Sequence, residues 1–231
     1  MKKIGLIGGI GPESTIEYYR LIIQLFQERK SRTEYPEIVI NSINMTEMLS
    51  LVFNKKYDEL IRLLVKKIKQ LENAGVDGVA MASNTPRIVF DEVASKVTCP
   101  MISIVQETCK AIEISELKKV GLFGTKSTMT AGFYQLTAVK RGIEVFVPES
   151  SQQDFIHEKY MNELVFKKLL PETKNQLIRI ANDMITSFGV EGLILGGTEL
   201  PLILHQEDFN NITVFDTTQI HVQSIVNWMV E

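Results

Sequence analysis

Short apolar runs alternate with longer amphipathic stretches along this chain. Runs of strand type, rich in Ile, Val, Leu and Phe, are KIGLIGG, EIVINSI, GVAMAS, MISIV, KKVGLFGT, EVFVPE, GLILGG and TVFDT. Between them, apolar residues recur every three or four positions, which predicts helices over 14–29, 58–73, 173–188 and 221–229. Thr15 and Glu17 suggest a capped start for the first helix, and Gly75 suggests the end of the second. This alternation is typical of an α/β fold with mainly parallel sheets flanked by helices.

Two phrases recur in the same order at nearly the same spacing. KKIGLIGG at 2–9 returns as KKVGLFGT at 118–125, and GVDGVAMASNT at 75–85 returns as GVEGLILGGTE at 189–199. The repetition predicts two pseudo-symmetric subdomains, each containing one βαβ-type unit. We expect residues 1–99 plus 208–231 in the first and 100–207 in the second. An active-site cleft is expected between them, with Ser83 and Gly197 facing each other across it.

The bulk composition is ordinary for a soluble globular protein. Of the 231 residues, 45% are hydrophobic and 23% charged, and the net charge of −3 provides no basic face for nucleic acid. No apolar run is long enough to cross a bilayer, and the amino terminus lacks a signal-peptide core, so a cytoplasmic location is expected. Cys99 and Cys109 have no metal-ligand spacing and are interpreted as small buried hydrophobes. Three scattered histidines add no metal site, and the residues indicate no cofactor.

Four polar segments directly follow predicted strands. They therefore lie at the carboxyl ends of the strands, which is where open parallel sheets bind ligands. They are GGIGPEST at 8–15, ASNTPR at 82–87, GTKSTMT at 124–130 and GGTELP at 196–201. The first contains only part of a GxGxxG fingerprint and is better explained as a strand–helix turn than as a nucleotide cradle. Gly9 and Ile10 within it are predicted to contact substrate.

The other three segments carry hydroxyl, amide and carboxylate groups. Thr125, Ser127 and Thr128 suit either a small-anion site or local helix capping, and both interpretations stay open. Ser83, Asn84 and Thr85 offer donors and acceptors for an amino-acid carboxylate or amine. Thr198 and Glu199 follow an apolar strand, where a carboxylate fits a cleft better than a core.

Five segments, in order, resemble the aspartate/glutamate racemase family of pyridoxal-independent amino-acid racemases. They are IGLIGGIGPEST, ASNTPR, VGLFGTKSTM, ILGGTELPLIL and VFDTTQIH, and together they span nearly the whole chain. The resemblance implies an isomerase of amino-acid metabolism that needs no cofactor. It also implies a homodimer of subunits with two similar α/β subdomains, and an aspartate, glutamate or other small carboxylate ligand.

Family chemistry uses one cysteine from each subdomain to remove and return the α-proton. At the matching positions this chain has Ser83 and Gly197, so the two-thiol mechanism is absent. Ser83, Thr198 and Glu199 are the surviving candidates for proton transfer, and only Glu199 is a carboxylate. Arg87 stands where the family often has histidine. It is interpreted either as a carboxylate-binding cation or as an outward-facing surface residue.

Two functions therefore remain. The chain is either a racemase-like enzyme with altered catalytic residues or a catalytically inactive homologue that binds an amino acid or other small carboxylate for sensing or regulation. Loss of the α-proton in deuterated water distinguishes them. Combining Ser83→Cys with Gly197→Cys is predicted to create or raise racemase activity.

Overall fold

A computed structural model describes all 231 residues, Met1–Glu231, and separates them into two compact units. The first unit contains Met1–Ile104 and Thr218–Glu231, and the second contains Val105–Thr217. Each unit has its own four-stranded parallel sheet. The predicted α/β class with two similar halves is confirmed at this level.

The two sheets have the same topology. The strands are β1 (Ile4–Gly8), β2 (Ile38–Ser42), β3 (Gly78–Met81), β4 (Met101–Ile102), β5 (Lys119–Gly124), β6 (Glu144–Phe146), β7 (Gly192–Gly196) and β8 (Thr213–Asp216). Their order is β2-β1-β3-β4 in the first unit and β6-β5-β7-β8 in the second, and every neighbouring pair is parallel. All eight predicted strands are present, although β4 is only two residues long.

Ten α-helices connect and flank these strands. They are α1 (Pro12–Arg29), α2 (Met45–Phe53), α3 (Tyr57–Asn73), α4 (Phe90–Ala94), α5 (Ile104–Ile114), α6 (Lys126–Thr130), α7 (Phe133–Ala138), α8 (Ser150–Asn162), α9 (Pro171–Phe188) and α10 (Thr217–Val230). The four predicted helices correspond to α1, α3, α9 and α10. The start of α5 at Ile104 explains why MISIV is only partly a strand. None of these helices combines the length and the apolarity required to span a membrane.

Helices cover both faces of the first sheet. Tyr18, Ile22 and Phe26 of α1 form one apolar cluster with residues of α10, including Val222 and Ile225. A second apolar cluster contains buried residues of α2, α3 and α4. Since β1 and β3 are buried along their whole length, their nearly continuous apolar sequence follows from this three-layer packing.

The second sheet is packed by the helices that follow its strands. Both α8 and α9 contact β5, and α7 contacts β6. The apolar stripe of α9 is buried, with Leu177, Ile180 and Met184 each about 1% exposed. β7 is buried throughout, so the loop that contains Gly197 and Glu199 begins at a fully packed strand.

Two predicted boundaries were wrong by several residues. Met101 pairs with Val79, so β4 completes the first sheet rather than opening the second unit. β8 pairs with β7, so residues 208–217 belong to the second unit, and only the residues of α10 from Thr218 onward join the first. The apolar pattern identified both strands but carries no information about which sheet they enter.

The start of α1 also differs from the expected capping pattern. The helix begins at Pro12, after Gly11 at φ 83°, and no side chain caps it. Thr15 instead accepts a hydrogen bond from the backbone N–H of Gly9 at 2.8 Å. The predicted end of α3 is close to the observed one, because Gly75 adopts φ 75° directly after Ala74.

Candidate functional site

The loop after β3 buries three consecutive polar side chains. Ser83, Asn84 and Thr85 are 8%, 3% and 8% exposed, and the last of them begins a 3₁₀ helix over Thr85–Val89. Because they leave the carboxyl end of a central parallel strand, they occupy the usual ligand-binding edge of such a sheet. The first unit therefore contributes a compact polar set at this edge.

Arg87 lies beside this set and does not point outward. Its side chain is 11% exposed, its guanidinium contacts Asp91 at 3.2 Å, and it lies 5.1 Å from the ring centre of Phe90. A cavity of about 10 Å³ is lined by Met81, Ser83, Arg87, Phe90, Ile102 and Ile104. The Nε atom of Arg87 is buried without a hydrogen-bond partner. A cation thus lines the same cavity as the hydroxyl of Ser83.

The loop after β1 is a closed turn. Gly9 adopts φ 80°, and its backbone N–H donates a hydrogen bond to the Thr15 hydroxyl. A Cβ atom at Gly8 would lie 2.5 Å from the side chain of Thr15, so glycine is needed for this close approach. Ile10 is 5% exposed and belongs to an apolar cluster. These contacts match the strand–helix turn inferred from the sequence, and ligand contact by Gly9 and Ile10 stays a prediction.

The hydroxyls after β5 bond to one another. Thr125 caps α6 by accepting the N–H of Thr128, and its Oγ1 lies 3.0 Å from Oγ1 of Thr128 and 3.2 Å from Oγ of Ser127. Nδ1 of His157 accepts the N–H of Lys126 at 3.3 Å, and the Lys126 ammonium pairs with Asp154. Local capping, one of the two open interpretations, is thus present. The anion site stays a prediction.

Glu199, after β7, is the buried carboxylate of the second unit. It is 4% exposed, and its Oε2 accepts hydrogen bonds from the Thr198 hydroxyl at 2.8 Å and from the Tyr160 hydroxyl. Burial raises the pKa of Tyr160 well above its ordinary value, and the adjacent Glu199 charge raises it further. At neutral pH the phenol is therefore a donor that holds the carboxylate in place.

Position 197 is closed by the ring of Tyr160. A Cβ atom on Gly197 would overlap Cε2 of Tyr160 and would lie 3.0 Å from both Cζ and Oη. Gly197 is not among the glycines with positive φ, so its backbone does not itself require glycine. The aromatic side chain, rather than local chain geometry, excludes a larger residue here.

Neither cysteine lies at the carboxyl end of a strand. Cys99 precedes β4, and burial together with the nearby Glu72 raises the pKa of its thiol to about 11. Cys109 lies within α5 and is completely buried, whereas Cys99 is only partly buried, contrary to expectation. No group of three or more His, Cys, Asp and Glu side chains is arranged to hold a metal ion.

A family profile described as Asp/Glu/hydantoin racemase matches residues 7–225. The chain belongs to this family. Among curated relatives, the broad specificity amino-acid racemase RacX of Bacillus subtilis is 29% identical over 153 residues. That match covers 65% of this chain and 66% of RacX, slightly less than two thirds of each. The resemblance stated from the five sequence segments is therefore confirmed.

Solved structures of similar proteins cover the whole chain. A putative Asp/Glu racemase from Yersinia pestis is 29% identical with a TM-score of 0.93, and both chains are covered completely. An aspartate racemase homologue from Pyrococcus horikoshii is 38% identical with a TM-score of 0.88, again with complete coverage of both chains. The Picrophilus torridus aspartate racemase, at 21% identity and a TM-score of 0.81, supports the fold alone.

Sequence reasoning missed Tyr160. It lies in α8, 39 residues before Glu199, within a helix whose sequence has no distinctive motif. One signal was present: Gly197 has no side chain, and the space beside a glycine in a close-packed interior must be filled from elsewhere. That argument predicts a large residue nearby without identifying which one.

Proposed function

We propose that this chain is a cofactor-independent member of the racemase family that acts on the α-proton of a small amino-acid carboxylate such as aspartate or glutamate. The reacting group we assign is Glu199, in place of the two thiols of the family. The ligand carboxylate is assigned to the polar set Ser83, Asn84 and Thr85 with Arg87. This assignment needs no thiol and no metal ion.

The observation that carries the proposal is the environment of Glu199. A carboxylate that is 4% exposed is costly to bury unless hydrogen bonds compensate, and here two hydroxyls donate to the same oxygen. Buried, oriented carboxylates are a common form of general base. The residue also follows β7, whose place in its sheet is the same as that of β3 in the other.

A second candidate is an inactive homologue that binds the carboxylate for sensing or regulation. It is favoured by the absence of a thiol at Ser83 and Gly197 and by the hydrogen bonds that give Glu199 a plain structural role. In this case the polar set after β3 would still bind ligand, and Glu199 would serve only to hold the loop.

The deciding experiment measures α-proton exchange in deuterated water by NMR. The D and L forms of aspartate and glutamate are tested separately, and binding of each is measured by calorimetry. We expect binding of at least one acidic amino acid and loss of its α-proton signal. Binding without exchange supports the inactive homologue. The absence of both binding and exchange would refute both candidate functions.

Glu199→Gln provides the matched test of the reacting group. It keeps the size and the hydrogen-bond acceptor of the side chain but removes its basicity, so exchange should fall at least 100-fold while binding is retained. Glu158→Gln, at an exposed carboxylate on α8, is the control and should exchange at the wild-type rate. A Glu199→Gln variant with unchanged exchange would exclude Glu199 as the base.

Two further properties implied by the resemblance stay predictions. A homodimer is tested by sedimentation of the purified chain, and a cytoplasmic location by fractionation of cells that express it. Neither outcome affects the chemical test above.

A further inference from the structure

We propose that Tyr160 replaces the side chain that position 197 lacks and positions Glu199 as the reacting group of the second unit. The chemical part of this inference rests on the proposed function, whereas the packing part does not. Tyr160 would then be the residue that separates this chain from two-thiol chemistry.

The packing argument comes from the space above Gly197. The phenol of Tyr160 occupies the volume of a side chain at position 197, with Oη 3.0 Å from where the Cβ atom would be. Tyr160 is 7% exposed, so its ring is held by surrounding residues and cannot simply rotate into solvent. A thiol added at position 197 would therefore collide with the ring. The predicted gain of activity from Ser83→Cys combined with Gly197→Cys thus also requires a smaller residue at position 160.

The charge argument concerns the proton shared by Tyr160 and Glu199. If the phenol lost its proton, two negative charges would be in contact inside a buried pocket, which is strongly unfavourable. The elevated pKa of Tyr160 agrees with this argument. Tyr160 thus remains a fixed donor, and Glu199 is the member of the pair that can accept a further proton.

The proton balance of the proposed step is simple. The Cα–H bond of the amino acid breaks, its electron pair stays on the substrate and spreads into the substrate carboxylate, and the proton bonds to Glu199. In the reverse step, or after exchange with solvent, Glu199 returns a proton to the carbon. Tyr160 keeps its own proton throughout and acts only by holding the carboxylate, so it is a positioning residue.

The packing part is tested by thermal unfolding without any ligand. Gly197→Ala should lower the melting temperature by roughly 5 °C, because an added methyl group overpacks the ring. The same change should cost less than about 1 °C when Tyr160→Ala has already removed the ring, and nearly the full amount in a Tyr160→Phe background. Tyr160→Leu serves in place of Tyr160→Ala if the latter does not fold.

The packing part is overturned if wild-type protein tolerates Gly197→Ala, or if the cost is the same in all backgrounds. It does not depend on any ligand. A failure of the proposed function and a failure of this inference are therefore distinguishable.

The positioning part has a kinetic and a spectroscopic readout. Tyr160→Phe should lower kcat for α-proton exchange at least 10-fold, with KM within twofold and an altered pH profile. Tyr134→Phe, at a completely buried tyrosine of the same unit, is the matched control and should leave kcat unchanged. Wild-type kcat and pH profile in Tyr160→Phe would overturn the positioning role.

If the protein shows no exchange activity, the hydroxyl proton of Tyr160 provides the test of the positioning role. Its NMR resonance should lie downfield, vanish in Tyr160→Phe and shift in Glu199→Gln. A resonance unaffected by Glu199→Gln would overturn the contact on which the positioning role depends.

Discussion

The backbone N–H of Lys3 donates a hydrogen bond to Oδ2 of Asp77 at 2.6 Å. The second unit repeats this contact, since Glu191 Oε2 accepts the N–H groups of Lys118 and Lys119 at 2.9 and 3.0 Å. In both cases the acid precedes the central strand β3 or β7, and the lysines lead into β1 or β5. The repeated phrases, KK and GVD or GVE, therefore form the same contact in both units. We call this contact between the acid and the backbone N–H groups the clamp.

Removing the acid of the second clamp should destabilise the fold. Two hydrogen bonds donated by the Lys118 and Lys119 N–H groups lower the pKa of Glu191. Glu191→Ala should cost about 1–2 kcal/mol in urea unfolding at pH 7, and Glu191→Gln less, because it retains an acceptor. The wild-type contribution should disappear as the pH falls below the ordinary range of a carboxyl group. Equal stability of Glu191→Ala and wild type would contradict the clamp.

Stability should fall between pH 6.5 and 4 because of His221. Its Nε2 lies 3.0 Å from the carbonyl oxygen of Ile102, which only accepts, so Nε2 carries the proton and Nδ1 accepts from the Tyr18 hydroxyl at 2.8 Å. Complete burial lowers the pKa of His221 to about 4. Between this value and 6.5 the unfolded chain binds more protons than the folded chain. As the pH falls to 4, the free energy of unfolding therefore decreases by on the order of 3 kcal/mol. Urea unfolding at several pH values measures this slope.

The control for this pH dependence is His221→Gln. It removes the titrating group while keeping hydrogen-bonding capacity, so the stability of the variant should depend less on pH in the same window. His157, whose pKa is lowered by its burial and by Lys126, contributes in the same direction and is removed separately with His157→Gln. An unchanged slope in His221→Gln would reject the assignment.

A thiol placed at Ser83 should be reactive. Ser83→Cys puts sulfur in the cavity that Arg87 lines, and a nearby cation favours the thiolate, although burial opposes it. Site-resolved alkylation should label position 83 in the native protein faster than Cys99, whose pKa is about 11, or the buried Cys109. Adding Arg87→Met should slow labelling at position 83 alone. Labelling unaffected by Arg87→Met would show that the cation does not act on this site.

Gly78→Ala should destabilise the first unit through Trp228. An added Cβ atom would lie 2.6 Å from Cη2 of the indole, which packs on the cluster formed by α1 and α10. Overpacking of this kind costs about 1–3 kcal/mol, and the intrinsic fluorescence of the single tryptophan reports the change. Gly189→Ala is a control for added volume, since no atom lies within 4 Å, although its φ of 66° adds some strain. Wild-type stability of Gly78→Ala would argue against this contact.

Much of the candidate site followed from local sequence. Polar residues directly after strands had to lie at the carboxyl ends of a parallel sheet, which correctly placed Ser83, Asn84 and Thr85 after β3 and Glu199 after β7. The burial of Arg87 and the contacts of Tyr160 with Gly197 and Glu199 did not follow, because burial and ring packing depend on tertiary contacts. Only the positions of Asp91, Phe90 and the cavity showed that Arg87 does not face outward, and its binding of a carboxylate stays a prediction.

By itself, the sequence determined the strands, the four main helices, the duplication and the family. Each of these can be recognised from the periodicity of apolar residues or from short sequence motifs. Only the tertiary structure decided that β4 and β8 complete the first and second sheets, respectively, and that Tyr160 fills the space over Gly197. Sheet partners and packed volumes are set by contacts between segments far apart along the chain. The pattern of residues within one segment does not show which distant segment it will contact.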